Sequence, residues 1–127
     1  MSKKILVTLS EYGYWGEELI GPLDVMIEKG YEYTFVTPRG RKPPALPPSM
    51  EPGFVDPPLN KVVTDEYYAR RTREVEESDL LANPINLEDW FPARPYFNGP
   101  NYGHELEAYY TARDKAWADL EQYDALV

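Results

Sequence analysis

Cysteine is absent from all 127 residues. This excludes a disulfide, a thiolate-held metal and a cysteine nucleophile supplied by these residues. Histidine is nearly absent. His104 stands alone, with no second His or Cys at a metal-ligand spacing, and its place at the start of a helical segment needs no catalytic explanation. No apolar run approaches the ~20 residues of a membrane-spanning helix, and the opening MSKKILV has no secretory apolar segment. Positive charge is scarce. Thirteen Lys and Arg face 22 Asp and Glu, a net charge of −9, and only RKPPALPP and ARRTR cluster the cations. Nucleic-acid binding needs concentrated Lys and Arg, so that partner is not expected. The expectation is a cytoplasmic protein with neither a membrane nor a nucleic-acid partner.

Proline and aromatic residues, by contrast, are plentiful. Eight of the 13 prolines fall between Pro38 and Pro58, and there are 11 tyrosines. Disordered low-complexity sequence is poor in aromatics, so the proline-rich stretch reads as an ordered surface excursion. Its PRGRKPP segment lacks the spacing and the following helix of a phosphate-binding loop.

The length favours one domain. KILVTL (4–9) is a nearly continuous apolar run, the pattern of a buried parallel strand. From Gly16 to Lys29 the spacing turns helical, with Leu19, Leu23, Met26 and Ile27 on one face. Pro22 either kinks this helix or restarts it, and Gly30 is a natural stop. YEYTFVT (31–37) reads as a second strand, which completes a βαβ unit. Thr64 is placed to cap a helix from Asp65 to about Glu77. NPINLEDWFPARPYFNGPNYG (83–103) is turn-rich and leaves room for a short helix near Leu87. Residues 104–122 form the clearest helix, with Leu106, Tyr109, Tyr110, Trp117 and Leu120 in period and Arg113 at the edge of the stripe. YDALV (123–127) reads as the opening of a third buried strand. Three strands, the last one short, leave sheet edges and faces uncovered, so residues 1–127 are expected to be part of a domain. The excursion of about 38–103 would be an insertion in it.

The stretch EYGYWGEELIGPLDVM (11–26) raises the question of function. Glu17 and Glu18 stand where a helix begins, and acids there are favourable to the helix dipole without any further role. Adjacent helical residues point ~100° apart, so one pocket can hold only one of them well. Tyr12, Tyr14 and Trp15 lie in the loop leaving the first strand, at the sheet end where open α/β folds bind ligands.

The pattern KKILVTLSEYGYWGEELIGPLDVMIEKGYEYTFVTPRGRKP resembles the N-terminal part of the ThiJ/PfpI superfamily, the class I glutamine-amidotransferase-like proteins. EELIGPLDVM, with Glu18 four residues before Pro22, carries the likeness. ALPPSMEPGFVDPP, NPINLEDWFP and the ending YDALV extend it to the larger lid-bearing members of the glyoxalase and chaperone branch. The resemblance implies a flavodoxin-like α/β fold, a parallel sheet sandwiched by helices. It implies Glu18 as the catalytic acid or base. Tyr12, Tyr14 and Trp15, by their place after the first strand, would wall the substrate pocket or pack beneath the lid, and Glu17, turned away on the helix, would be solvated. Trp90, Phe91, Tyr96, Phe97 and Tyr102 would pack the lid, and Glu105, Glu107 and Asp114 would form a solvated helix face. No metal and no organic cofactor are implied.

The family's Gly-Gly loop after DALV and its nucleophilic Cys are not among these residues. The expected partner is therefore a complementary C-terminal chain carrying that Cys, and the assembled unit is expected to dimerise. The expected reaction converts a small 2-oxoaldehyde to a hydroxy acid, or hydrolyses or hydrates a small electrophile. The alternative is a stress-response chaperone or interaction module without catalysis.

Overall fold

A computed structural model describes residues 2–96 and 99–127. Phe97, assigned above to lid packing, lies outside the described residues. The central sheet contains β1 (Lys4–Thr8), β2 (Glu32–Thr37), β5 (Ile85–Asn86) and β6 (Ala125–Leu126), in the order β5-β2-β1-β6. All three pairings are parallel, with Ile5 opposite Tyr33 and Ala125, and Val36 opposite Ile85. Helices α1 (Gly16–Glu28) and α2 (Glu66–Glu77) pack against each other. A short α3 (Leu87–Trp90) and the long α4 (Tyr102–Leu120) follow. The architecture is α/β with a parallel sheet flanked by helices, consistent with the flavodoxin-like class.

Strand alternation decides which face holds the core. Ile5, Val7 and Phe35 point to one side, where Leu19, Ile20, Leu23 and Met26 of α1 meet them with Val75 and Leu81. Leu23 is 1% exposed, and burying a side chain of that size contributes about 1.5–3 kcal/mol. Leu6 and Val36 point to the other side, where Leu87, Trp90, Phe91, Leu120 and Leu126 border an apolar groove of about 370 Å³.

Several details differ from the sequence reading. Helix α1 runs without a break through Pro22, and Ile27, expected on its apolar face, is exposed. The cap of α2 is Asp65, whose carboxylate accepts from the Tyr68 N–H at 2.8 Å. Thr64 instead donates its hydroxyl to the Pro48 carbonyl at 3.0 Å. The excursion contains a 3₁₀ turn (Pro47–Met50) and a two-stranded antiparallel ribbon of β3 (Val55–Asp56) and β4 (Lys61–Val62). β5 makes the sheet four-stranded rather than three-stranded.

The largest departures concern the last two elements. α4 forms as expected, but Ala116 is its sole buried residue, Trp117 is 58% exposed and Tyr110 is exposed. β6 pairs with β1, but Leu126 is 66% exposed. Trp90, Phe91, Trp117 and Tyr123 gather in a chain of tilted and edge-on ring contacts of 5.2–6.2 Å. Tyr96 projects into solvent. No described helix is long and apolar enough to cross a membrane.

One ion-pair cluster ties α1 to α2. Arg71 reaches Asp24 through Nη2 at 2.7 Å and Nε at 3.3 Å, and Glu74 at 2.9 Å, while the Tyr67 hydroxyl also donates to Asp24. Burial acts to raise the Asp24 pKa, but the hydrogen bonds from Arg71 and Tyr67 outweigh it and hold the carboxyl below its ordinary value. A depressed carboxyl stabilises the fold above its unfolded-state pKa, and that contribution is lost as pH falls through the folded-state value. Asp24→Asn is therefore expected to cost about 1 kcal/mol near neutrality, discounted for partial exposure. The difference from the parent chain should vanish in acid unfolding titrations below the Asp24 pKa.

Candidate active site

The strand order reverses at β1. β2 lies on one side of it and β6 on the other, so the crevice at the carboxyl ends of β1 and β6 is a topological switch point, where open α/β sheets bind ligands. A cleft of about 340 Å³ opens there, bordered by Ser10, Gly13, Trp15, Glu18, Leu46 and Val127.

The loop from β1 to α1 forms one wall and is held from several directions. Glu11 accepts backbone N–H groups of Arg39 and of Arg41, the latter at 3.3 Å, which pins the loop to the turn after β2. Tyr14 and Ala45 form a parallel bridge, with Tyr14 N–H to the Pro44 carbonyl at 3.0 Å and Leu46 N–H to the Tyr14 carbonyl at 2.9 Å. Gly13 sits at φ +140°, and a Cβ there would meet Leu46 Cδ2 at 2.7 Å. A side chain at 13 would therefore strain the backbone and push into the cleft wall.

Helix α1 then begins at Gly16 with no side-chain cap from Trp15. Glu18 lies in its first turn, is exposed, and borders the cleft together with Pro22. The spacing has a backbone consequence. Pro22 carries no N–H, so the Glu18 carbonyl has no donor from the residue four positions on, where a helix interior would supply one. The acid therefore sits on a turn whose backbone hydrogen bonding is already interrupted. Glu17 is exposed and does not border the cleft.

The three aromatic candidates separate. Trp15 is half-buried and borders the cleft beside Glu18. Tyr14 also borders it, but its ring is buried and its hydroxyl donates to Glu76 Oε1 at 2.9 Å. Burial first, then that hydrogen bond and the Glu76 charge, raise the Tyr14 pKa far above its ordinary value, so the hydroxyl stays a donor. Tyr12 is 97% exposed and lies outside the cleft, beside Arg39, Arg41 and Lys42. His104 is exposed on α4 and borders none of the cleft. No group of three or more His, Asp or Glu among the described residues is arranged to hold a metal.

Two contributors escaped the sequence reading. Leu46 comes from the proline-rich excursion and Val127 follows β6, and neither carries a local signal of proximity to Glu18. Ser10 and Thr8 add hydroxyls at the floor, Thr8 Oγ1 donating to the Val127 carbonyl at 3.1 Å.

A parallel βαβ core flanked by helices, with one acid bordering the switch-point crevice, defines an α/β protein whose candidate site lies beside the loop after its first strand. Residues 9–127 match the family model described as ThiJ/PfpI family-like, and the chain belongs to that family. Searches of curated proteins and of solved structures return no significant match.

Proposed function

We propose that this chain supplies the acid–base half of a cysteine-dependent enzyme acting on a small electrophile, with the thiolate contributed by a complementary chain docked beside β6. The observation that carries this reading is the position of Glu18 at the switch-point cleft, within a family match that spans the helical turn bearing it. For a 2-oxoaldehyde, the partner's thiolate adds to the aldehyde carbon and gives a hemithioacetal. Glu18 takes the proton from that carbon and returns one to the neighbouring carbon, which leaves a 2-hydroxy thioester. Water cleaves the thioester, releasing the 2-hydroxy acid and the thiol. The same pair serves hydrolysis or hydration of a related electrophile, with Glu18 activating water.

The surface supports a docked partner. A parallel sheet is ordinarily covered on both faces. Here the groove formed by Leu6, Val36, Trp90, Phe91 and Leu126 is continuous with the β6 edge, which pairs with β1 alone among the described residues. Val127 connects that edge to the cleft. Mixing the chain with a Cys-bearing C-terminal ThiJ/PfpI fragment and following methylglyoxal consumption is expected to give activity that neither part shows alone. No activity in a confirmed complex would exclude the glyoxalase reaction.

The exposed Trp117, Leu126 and Tyr110 support a second reading, a surface that binds unfolded clients. Suppression of aggregation by the isolated chain, undiminished by Glu18→Gln, is the result that would favour it.

A further inference from the structure

Glu76 borders none of the cleft, yet its carboxylate joins the segments that form it. Oε1 accepts from the Tyr14 hydroxyl and from the Ala45 N–H, each at 2.9 Å, and the Glu76 backbone carbonyl accepts from Lys42 Nζ at 2.9 Å. Tyr14 and Ala45 are themselves bridged, so one oxygen locks the loop after β1 to the proline-rich excursion. One helical turn earlier, Thr72 packs directly beneath Gly16. Residues 72 and 76 share a face of α2, and their contacts fall on either side of Trp15, two and four residues from Glu18.

We propose that Glu76 is a positioning residue for Glu18, a latch by which α2 fixes the cleft wall and the first turn of α1. This rests on the reading of Glu18 given above. The interior around Tyr14 makes the latch demanding. Its ring and Ala45 are both buried, so removal of the carboxylate leaves a hydroxyl and an N–H with little access to water as a substitute. The loop can then recover hydrogen bonds only by moving, and small displacements of a catalytic group carry large rate costs.

The test compares Glu76→Ala, which removes the acceptor, with Glu76→Gln, which keeps an acceptor oxygen. Amide hydrogen exchange on the 127-residue chain alone reads the latch. Glu76→Ala is expected to lower protection about tenfold or more at Tyr14, Ala45, Leu46 and Glu18 while leaving Leu6, Val7 and Val36 near the parent values. Glu76→Gln should restore most of the lost protection. In the assembled enzyme the alanine variant should lose kcat about tenfold or more with KM little changed, and glutamine should recover it. Unchanged protection in the loop, or an equal loss in β1 and β2, would overturn the proposal. So would a kcat unaffected by alanine in an active assembly. Exchange needs no partner, so an inactive parent assembly counts against the proposed reaction and not against the latch. Should the alanine variant fail to fold, Tyr14→Phe removes one of the two bonds with the ring in place and is judged by the same outcomes.

Discussion

Glu18→Gln is expected to lower turnover of the assembled enzyme by about 10²–10⁴-fold, the range that a positioned proton-transfer group contributes. The fold should be nearly indifferent. Glu18 is exposed, and an exposed substitution shifts stability by roughly 0.5 kcal/mol, with the loss of one favourable helix-dipole charge adding about 0.3–1 kcal/mol at most. Glu17→Gln is the internal control. It removes the same charge from the same helical turn but from a side chain that does not border the cleft. Its rate should stay within about twofold of the parent, while any effect on melting should match that of Glu18→Gln. Equal rates for the two variants, measured on the same complex, would remove Glu18 from the chemistry and leave both acids to helix electrostatics.

Gly16→Ala is expected to destabilise the chain by about 1–3 kcal/mol, although alanine is the better helix former. The propensity gain is at most about 1 kcal/mol. Against it stands a steric conflict. A Cβ on residue 16 would lie 2.0 Å from Thr72 Oγ1, 2.7 Å from Cγ2 and 2.9 Å from Cβ. Thr72 has no exposed surface, and its hydroxyl donates to the Tyr68 carbonyl at 2.6 Å. A β-branched side chain inside a helix has little rotamer freedom, so α1 and α2 must separate, and overpacking of this kind costs about 1–3 kcal/mol. Thermal melts should show a drop of roughly 4 °C per kcal/mol. Thr72→Ala in the same chain removes two of the three clashing atoms and should return part of the loss. A double-mutant cycle would show this as a favourable coupling. A melt equal to or above the parent's for Gly16→Ala alone would mean that the helices tolerate a wider spacing than their contact shows.

Glu18 and Gly16 share one helical turn yet depend on two kinds of information. The role proposed for Glu18 depends on what it faces, and that of Gly16 on what presses on it. The spacing of Glu18 and Pro22 was legible in the sequence. Thr72, 56 positions beyond Gly16, was not, and neither was the Glu76 carboxylate that fastens Tyr14. The aromatic candidates divide in the same way. Their place after β1 was a local fact, but only folding puts Trp15 beside the acid, ties up the hydroxyl of Tyr14 and turns Tyr12 out to solvent.

By itself the sequence determined β1, α1 and β2, the existence of α2 and α4, and an acid in the first turn of α1. Each of these elements reports its own burial or backbone preference through periodicity, capping or turn residues. Tertiary structure decided the rest. β5 is two residues long and becomes a strand only by pairing with β2. The helical stripe on α4 specified a helix, but its burial depends on a facing surface, and only Ala116 is fully buried while Leu106, Tyr109 and Leu120 are half-covered. Leu46 reaches the cleft beside Glu18 because Ala45 bridges Tyr14, and Val127 because strand order places β6 next to β1. That adjacency is a property of sheet pairing between segments far apart in the chain, and no local pattern encodes it.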